Sequence, residues 1–259
     1  MPDSKNAVEL NFQGIMADFA NSQYALAGKV VVELASDPWL FLSRRLVTHG
    51  PRSVIASNIT DNWTQETADG VEIQCIDART IDCALGRESV DAVIGINLLE
   101  HLDNIPMTLA AIYGALRPGG YCLLHGDPIW TSARGHHAMY GDMGSIFTFA
   151  DDSNPFPKWG HLYMEEAEMR QQLEISGLTG EAIDVALHWA LHSDLITRTP
   201  RLKIIRHFRE SPFERQKLLE NRLELPTKAD LIRIRQGRWW RPEEDYSVRG
   251  MTYLLCKSA

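Results

Sequence analysis

Short apolar runs alternate with stretches of helical periodicity through the first half of the chain. The clearest unit begins with the run at residues 91–97. Apolar residues then follow at spacings of four, three and four from Ile105 to Leu116, and Pro-Gly-Gly at residues 118–120 ends the helix that this spacing predicts. Because a strand, a helix and a second strand in succession build a parallel sheet, the pattern predicts an α/β fold. The predicted strands are residues 29–35, 53–57, 71–76, 91–97 and 121–125.

The rest of the chain divides into helices, one long loop and two further strands. Proline after a polar pair is typical of the first position of a helix, so Pro38 predicts a helix over residues 39–49. Residues 126–162 are rich in His, Gly, Pro and aromatics without a sustained period, which predicts a long and therefore functional loop. The other predictions are an N-terminal helix at 5–26, a helix at 164–176, a sixth strand within 179–188, helices through 190–240 and a last strand at 246–257.

Length and composition predict one elaborated domain, because 259 residues with 44% hydrophobic residues can bury a full core. The net charge of −8 argues against a general polyanion binder. The four cysteines form no C-x-x-C pair, which favours reduced thiols in a cytoplasmic protein. No run approaches the ~18 apolar residues of a membrane span, so we expect a soluble protein. The expected division is an N-terminal helical segment at 1–26, a core at 27–189, a helical insertion or lid at 190–240 and the last strand at 241–259.

The residues around the fourth and fifth predicted strands carry a family resemblance. Asp91 and Val93 precede Leu-Glu-His-Leu at residues 99–102, and Leu-Arg-Pro-Gly-Gly-Tyr follows at residues 116–121. This pattern resembles class I S-adenosylmethionine-dependent methyltransferases of the type 11 kind. The resemblance implies S-adenosylmethionine as cofactor. It also implies a Rossmann-like sheet of about seven mostly parallel strands with helices on both faces, plus a mainly helical insertion before the last strand.

The loop after the first strand departs most from this family. There, an acidic residue is followed by glycines, and the backbone approaches the methionine part of the cofactor. Here Glu33 is retained, but Ala35, Asp37 and Trp39 stand where the glycines would be. Either a capped turn at residues 36–38 presents helix N-terminal amides to the cofactor, or cofactor binding has been lost; we favour the first. Asp37 would face the cofactor's ammonium group or only cap the helix.

Three later strand ends match cofactor positions of the family. Asn58 stands where an acid normally holds the ribose hydroxyls, and an amide can still hydrogen-bond a diol without charge. Asp77 matches the carboxylate that accepts from the adenine amino group, although aspartate is also common in a turn after a strand. Residues 97–98 would line the methionine side. The resemblance thus implies cofactor binding by Glu33, Ala35, Ser36, Asp37, Asn58, Ile59, Asp77, Ala78, Asn97 and Leu98.

Methyl transfer to a hydroxyl or carboxyl group needs a residue that keeps the acceptor deprotonated or removes its proton. Bases are expected at the tips of strands four and five and in the loop that follows. Of the candidates there, we favour His137 and His161, with His101 as a third. The pair Glu100-His101 is also common in the family as a structural contact between the fourth helix and its strand.

A metal site is the alternative for the same residues. Ubiquinone-pathway O-methyltransferases and the plant small-RNA 2′-O-methyltransferase have a similar spacing and place a divalent ion on E-x-x-E-H after the fourth strand. Because Asn97 replaces the first acid of that motif, a divalent metal is not favoured here. The ligands in that case would be Glu100, His101, and His136 or His137.

The aromatic residues of the 126–162 loop would wall a pocket for a planar or apolar small molecule, or simply pack the loop. In residues 190–240, basic residues and tryptophans are interleaved, but acidic residues run through the same stretch. A solvated or homodimer-forming helical face is therefore favoured over nucleic acid binding.

Three functional hypotheses follow. The first is an O- or N-methyltransferase of secondary metabolism, whose small-molecule acceptor is enclosed by the N-terminal helix, the loop and the insertion. The second is an RNA or sugar methyltransferase with a divalent metal, which an open basic groove would favour. The third is a member of the fold that binds the cofactor without methylating, or has lost it.

Overall fold

A mixed sheet of seven strands lies at the centre of the part of the chain that the structure describes. The computed structural model describes residues 4–141 and 146–259, with side chains from residue 10 onward. The strands are β1 Val30–Leu34, β2 Ser53–Asn58, β3 Val71–Cys75, β4 Val90–Gly95, β5 Leu116–Gly126, β6 Arg215–Asn221 and β7 Gly250–Cys256. Their order in the sheet is β3-β2-β1-β4-β5-β7-β6.

The first five strands run parallel, as the apolar runs predict. β7 lies between β5 and β6 and is antiparallel to both. The order of strands reverses between β1 and β4, which are neighbours in the sheet. At such a switch point the carboxyl ends of the strands leave a crevice in which ligands bind.

Helices cover both faces of the sheet, and the predicted fold class is confirmed. On one face α4 packs Leu109 and Ile112 into the largest hydrophobic cluster, while the other face holds Ala17 and Leu46 of the first two helices. The helices are α1 Ser4–Tyr24, α2 Phe41–Val47, α3 Ile81–Leu85, α4 Ile105–Ala115, α5 Gly160–Tyr163, α6 Glu166–Ile175, α7 Glu181–Leu187, α8 Arg201–Arg209 and α9 Lys228–Gln236. Short turns of other helical type lie at Ala78–Thr80, Leu99–His101 and His188–His192, the last of these a π-helical turn.

A third hydrophobic cluster lies apart from the two on the sheet. Phe147 and Phe156 come from the long loop, which is irregular over residues 127–141 and 146–159 as predicted. Met169 and Leu173 of α6 and Leu187 of α7 pack against them. We call these five residues and their neighbours the roof cluster, because the segments that it joins lie over the carboxyl edge of the sheet.

The second helix begins later than the proline predicts. α2 starts at Phe41, after Leu40 in the left-handed conformation with φ 59°. The cause lies in Asp37, whose carboxylate accepts from the backbone N–H groups of Trp39 at 2.8 Å and Phe41 at 3.1 Å. These bonds close a turn in front of the helix, and Pro38 lies in that turn rather than at the first helical position.

The sixth strand is not where the sequence predicts it. Residues 179–188 hold helix α7, whose Ala182, Ile183, Ala186 and Leu187 are buried at helical spacing. Short apolar runs fit a helix or a strand equally well, and packing against α6 decides for the helix. The sixth strand is β6 instead, so the segment 190–240 is not only a helical insertion but also contributes an edge strand to the sheet.

Candidate active site

A cavity of about 640 Å³ opens at the carboxyl edge of the parallel strands. Its floor is formed by the segments that follow β1, β2, β3 and β4. The long loop contributes His137, Met139 and Phe149, and the region of the π-helical turn contributes Trp189 and residues 194–196. The cavity therefore has a floor on the sheet and walls made by the segments of the roof cluster.

The predicted cofactor residues meet at this floor, with one exception. Glu33 does not line the cavity. Its carboxyl group is buried behind β1 and accepts a hydrogen bond from the Ser43 hydroxyl of α2. Burial raises the pKa of Glu33 to about 7. Glu33 thus joins α2 to β1. The predicted cofactor residues that do line the cavity are Ala35, Ser36, Asp37, Asn58, Ile59, Asp77, Ala78, Asn97 and Leu98.

The backbone of the first loop keeps the conformation that glycine usually supplies. Ala35 has φ 55°, in the left-handed region, and Asn97 across the crevice has φ 51°. Alanine tolerates this region at a cost of roughly 1–2 kcal/mol. Ala35 therefore adopts a backbone conformation that glycine would adopt without this cost.

Replacing Ala35 by glycine is expected to raise the free energy of unfolding by about 0.5–1 kcal/mol, because glycine adopts positive φ without the steric penalty. Urea denaturation monitored by circular dichroism measures the change. The same substitution at Ala56, which is buried in β2, serves as the contrast and should be destabilising. A clear loss of stability in Ala35→Gly would show that the left-handed conformation is not strained.

Hydrogen bonds link the loop after β1 to the end of β2. Asp37 uses both carboxylate oxygens for the turn before α2, as the capping alternative predicts. The Asn58 amide donates to the Ser36 carbonyl at 3.1 Å and accepts from the Ile59 N–H at 2.7 Å. These contacts fix the two loops relative to each other at the cavity floor.

Asp77 lies at the far end of the floor in an ion pair. Its carboxylate accepts from the Arg79 guanidinium at 2.6 Å, and Arg79 also binds Asp103 at 2.9 Å. The hydrogen bond from Arg79 holds the pKa of Asp77 below its usual range. Asp77 is about a quarter exposed and remains able to accept from a ligand in the cavity.

Of the three histidines predicted as catalytic, two line the cavity. His137 hydrogen-bonds through Nδ1 to the Gly135 carbonyl at 2.9 Å, which leaves Nε2 as an acceptor. Burial lowers its pKa to about 3. The His101 ring lies 6.2 Å from that of His137 and bonds to the Leu195 carbonyl at 2.7 Å.

His161 and His136 lie outside the cavity lining. His161 is buried beside Trp130, whose carbonyl it contacts through Nε2 at 2.7 Å, and burial lowers its pKa to about 4. His136 stacks on Phe156 and accepts from the Ala138 N–H at 2.9 Å. Over residues 4–141 and 146–259, no group of three His, Cys, Asp or Glu side chains is arranged to hold a metal ion.

Glu100, which the sequence suggests as a metal ligand or a structural contact, lies at the cavity. It is only 3% exposed, and it lines the cavity beneath the end of β5. Oε1 accepts from the Asp127 N–H at 3.3 Å, while Oε2 is buried without a hydrogen-bond partner among the described residues. Space for this carboxyl group exists because Gly126 has no side chain; a Cβ there would lie 2.7 Å from Oε2. Burial raises the pKa of Glu100 to about 8.

Comparison with solved structures shows which fold this is. An S-adenosylmethionine-dependent methyltransferase from Mesorhizobium loti is similar over 95% of this chain and 99% of its own, with 13% identity and a TM-score of 0.55. A second from Archaeoglobus fulgidus covers 98% of this chain and 100% of its own, with 10% identity and a TM-score of 0.50. Phosphoethanolamine N-methyltransferase 2 of Haemonchus contortus, solved with S-adenosyl-L-methionine, covers 94% of this chain and 52% of its own, with 11% identity and a TM-score of 0.53.

A search of curated proteins finds no match. Residues 41–124 match a family model described as a methyltransferase domain. That range runs from the start of α2 into β5, so it includes β4 but not β1 or the loop that follows β1. The solved structures share the fold over nearly the whole chain. Residues 41–124 thus belong to a methyltransferase domain, and the chain has the fold of class I S-adenosylmethionine-dependent methyltransferases.

Proposed function

We propose that this enzyme transfers a methyl group to an oxygen or nitrogen atom of a small-molecule acceptor of secondary metabolism. The cavity carries this proposal, because its outer part is walled by half-buried apolar side chains of the long loop and the π-helical turn. A wall of this kind suits a small molecule that is enclosed on binding. Met139, Phe149 and Trp189 are the side chains concerned.

The residues at the cavity floor fit S-adenosylmethionine. Bound there, the cofactor supplies a methyl group on a sulfonium sulfur, which is an excellent leaving group. Its positive sulfonium and ammonium groups suit a lining rich in carboxylates. We propose that Asp77 and Ala78 contact the adenine, Asn58 and Ile59 the ribose, and the left-handed turn at Ala35 the methionine part, together with Ser36, Asp37, Asn97 and Leu98.

Glu100 and His137 are proposed to handle the proton of the acceptor. A general base works best when its pKa lies near the working pH, and the raised pKa of Glu100 meets this condition. His137 is a much weaker base, since burial lowers its pKa to about 3. We propose that Glu100 accepts the proton and that His137 Nε2 accepts a hydrogen bond that orients the acceptor.

The charges of the last third of the chain support a small acceptor over a nucleic acid. Arg201 pairs with Glu220 at 2.7 Å, and Arg222 pairs with Glu220 at 2.8 Å and with Asp245 at 3.1 Å. Ion pairs of this kind leave fewer cations in this region to bind phosphates. No helix in the described part of the chain is long and apolar enough to cross a membrane. Free cysteines support the proposal of a cytoplasmic enzyme, and a homodimer through the exposed helices remains a proposal.

Calorimetric titration with S-adenosylmethionine and S-adenosylhomocysteine, with and without EDTA, tests the cofactor site. We expect micromolar binding of both that EDTA leaves unchanged. Formation of S-adenosylhomocysteine over a panel of small hydroxyl and amine compounds then tests the transfer itself. Loss of binding in EDTA would favour a metal-dependent enzyme instead. Absence of binding to either compound would contradict the proposed cofactor site.

Replacing Asp77 by alanine should weaken S-adenosylhomocysteine binding by about 1–3 kcal/mol, because a hydrogen bond between a carboxylate and the adenine amino group is lost. Calorimetry at pH 7 measures the change. Asp103→Ala is the matched control, since it removes the other carboxylate on Arg79 but not the proposed adenine contact. Equal effects of the two substitutions would assign the role of Asp77 to holding Arg79.

A further inference from the structure

The cavity is markedly acidic. Among the described residues that line it, Arg79 is the only lysine or arginine. Its positive charge is neutralised by ion pairs with Asp77 and Asp103. The carboxyl side chains in the lining are those of Asp37, Asp77, Glu100, Asp103, Asp127 and Asp194. An anionic acceptor would therefore enter a region of unfavourable potential, and a cationic one a favourable region.

The partners of these acids divide them into two groups. Asp37 caps the turn before α2, and Asp127 is held by Arg249 at 2.8 Å and by the Asn221 amide at 2.9 Å. Asp194 is different, because it is exposed at the end of the π-helical turn and forms no ion pair or hydrogen bond with the described residues. Its oxygens are therefore open to a ligand cation, which would compete with the charge of Arg198 that acts on Asp194 without an ion pair.

The walls next to Asp194 are apolar. Leu195 is 63% exposed and Trp189 is half-buried on the same segment, while Phe149 faces the cavity from the long loop. Aromatic ring faces attract ammonium groups as well as apolar bodies. At the inner end, Oε2 of the buried Glu100 has no hydrogen-bond partner among the described residues and can accept a hydrogen bond from a ligand. The outer part of the cavity thus combines an apolar surface, a free carboxylate and a buried acceptor.

We propose that the methyl acceptor is a small amine on an apolar or aromatic body, with Asp194 binding the ammonium group as it enters and Phe149 and Trp189 contacting the body. This inference rests on the proposed methyl transfer and names the substrate class for it. The ammonium gives one proton to the Glu100 carboxylate, and the nitrogen lone pair that this frees forms the N–C bond. The S–C bond breaks with its electron pair kept by sulfur, so the product is a methylated ammonium.

Arg198 is the cation nearest to this region that could oppose the proposal. Its guanidinium donates to the carbonyls of Ser193 at 3.2 Å and Ile196 at 3.4 Å, and it lies over the Trp130 ring at 5.6 Å. These contacts use the guanidinium within its own segment, and Arg198 does not line the cavity, although its charge acts on Asp194. The test below nevertheless includes a carboxylate probe, because an anionic acceptor is the alternative to a cationic one.

The test compares three probes of one shape on enzyme saturated with S-adenosylhomocysteine. 2-Phenylethylamine, 2-phenylethanol and 3-phenylpropanoate share the aromatic body and differ in charge, and saturation-transfer NMR with competition gives their affinities at pH 7. We expect the amine to bind at least fivefold more tightly than the alcohol and at least tenfold more tightly than the carboxylate. In Asp194→Asn the advantage of the amine over the alcohol should fall to below twofold, with unchanged affinity for S-adenosylhomocysteine.

Asp184→Asn is the matched control, because Asp184 lies ten residues earlier on an exposed face of α7 and pairs with Arg170. It should leave all three affinities as they are. Tightest binding of the carboxylate, equal binding of all three probes, or binding of none to the cofactor-loaded enzyme would overturn the proposal. Failure of S-adenosylhomocysteine itself to bind would contradict the proposed cofactor site, which is a separate result.

Discussion

Replacement of Glu100 by glutamine is expected to lower kcat for methyl transfer by about 10²-fold or more, with little change in affinity for S-adenosylhomocysteine. General bases contribute roughly 10²–10⁴-fold to enzymatic rates, and glutamine keeps the size of the side chain but cannot accept a proton. The measurement is the initial rate of S-adenosylhomocysteine formation with an active acceptor. His137→Gln should raise KM more than it lowers kcat, since His137 is proposed only to orient the acceptor.

The pH dependence of the rate provides an independent test of Glu100. The active form of a base is the deprotonated one, so kcat should rise with pH through the raised pKa of about 8. In Glu100→Gln this rise should be lost from whatever rate remains. Glu174→Gln is the control, because Glu174 is exposed on α6 and does not line the cavity. A wild-type rate and pH profile in Glu100→Gln would exclude Glu100 as the base.

The same substitution should stabilise the fold at neutral pH and above. The pKa of Glu100 is raised from 4.5 to about 8 in the folded state, so the stability that its neutral form supports is present at low pH and is lost as pH rises through about 8. At pH 7 this carboxyl group is ionised in the unfolded chain but mostly neutral in the folded one. The free energy of unfolding is therefore lower than at acidic pH by on the order of 3 kcal/mol. Urea denaturation of wild type and Glu100→Gln at pH 5 and 8 should show a larger difference at pH 8.

Acidification is expected to unfold the protein through its buried histidines. Burial lowers the pKa of His125 to about 4, of His137 to about 3 and of His161 to about 4, from an ordinary value of 6.5. Their neutral forms stabilise the fold above pH 6.5, and this stability is lost as pH falls towards 4, because the unfolded chain takes up the protons first. Each of the three contributes about 3 kcal/mol over that range.

Glu33 and Glu100 offset part of this effect, because acidification from their raised pKa values down to pH 4.5 increases the free energy of unfolding. The steepest loss of stability is therefore expected below pH 4.5. The free energy of unfolding at pH 4, 5 and 6.5 measures this. His161→Gln keeps the N–H donor for the Trp130 carbonyl, and its stability should fall less steeply with acid than that of wild type. His188→Gln, at an exposed position of the π-helical turn, should follow wild type. If the free energy of unfolding depends on pH in the same way in all three proteins, His161 does not contribute to the acid sensitivity.

The parallel half of the fold is predictable from the sequence because local patterns determine it. A largely buried strand such as β4 needs a mainly apolar run, and α4 needs its spacing and a stop at Pro118, so both are confirmed within a few residues. β6 has no such pattern, because an edge strand with one exposed side tolerates residues such as Arg215 and Lys217. Its place in the sheet comes only from pairing with β7.

The candidate site shows the same division. The positions of Asn58, Asp77 and Asn97 follow from the strand ends, and the structure brings all three to one cavity. The environment of Glu100 does not follow from its neighbours in sequence, since Gly126 and Asp127, which create it, lie on another strand. For the same reason the sequence could not separate His137, which lines the cavity, from His161, which is buried behind it.

The roof cluster has a consequence for how such an enzyme could change its substrate during evolution. Its hydrophobic contacts are made within the long loop, α6 and α7, while the sheet is held by two other clusters. Mutations or insertions in the roof can therefore reshape the outer part of the cavity, where we propose that the acceptor binds, without disturbing the packing beneath the floor. New acceptor specificity can arise by recombination or drift in one contiguous segment of the gene, while selection on the cofactor floor stays unchanged.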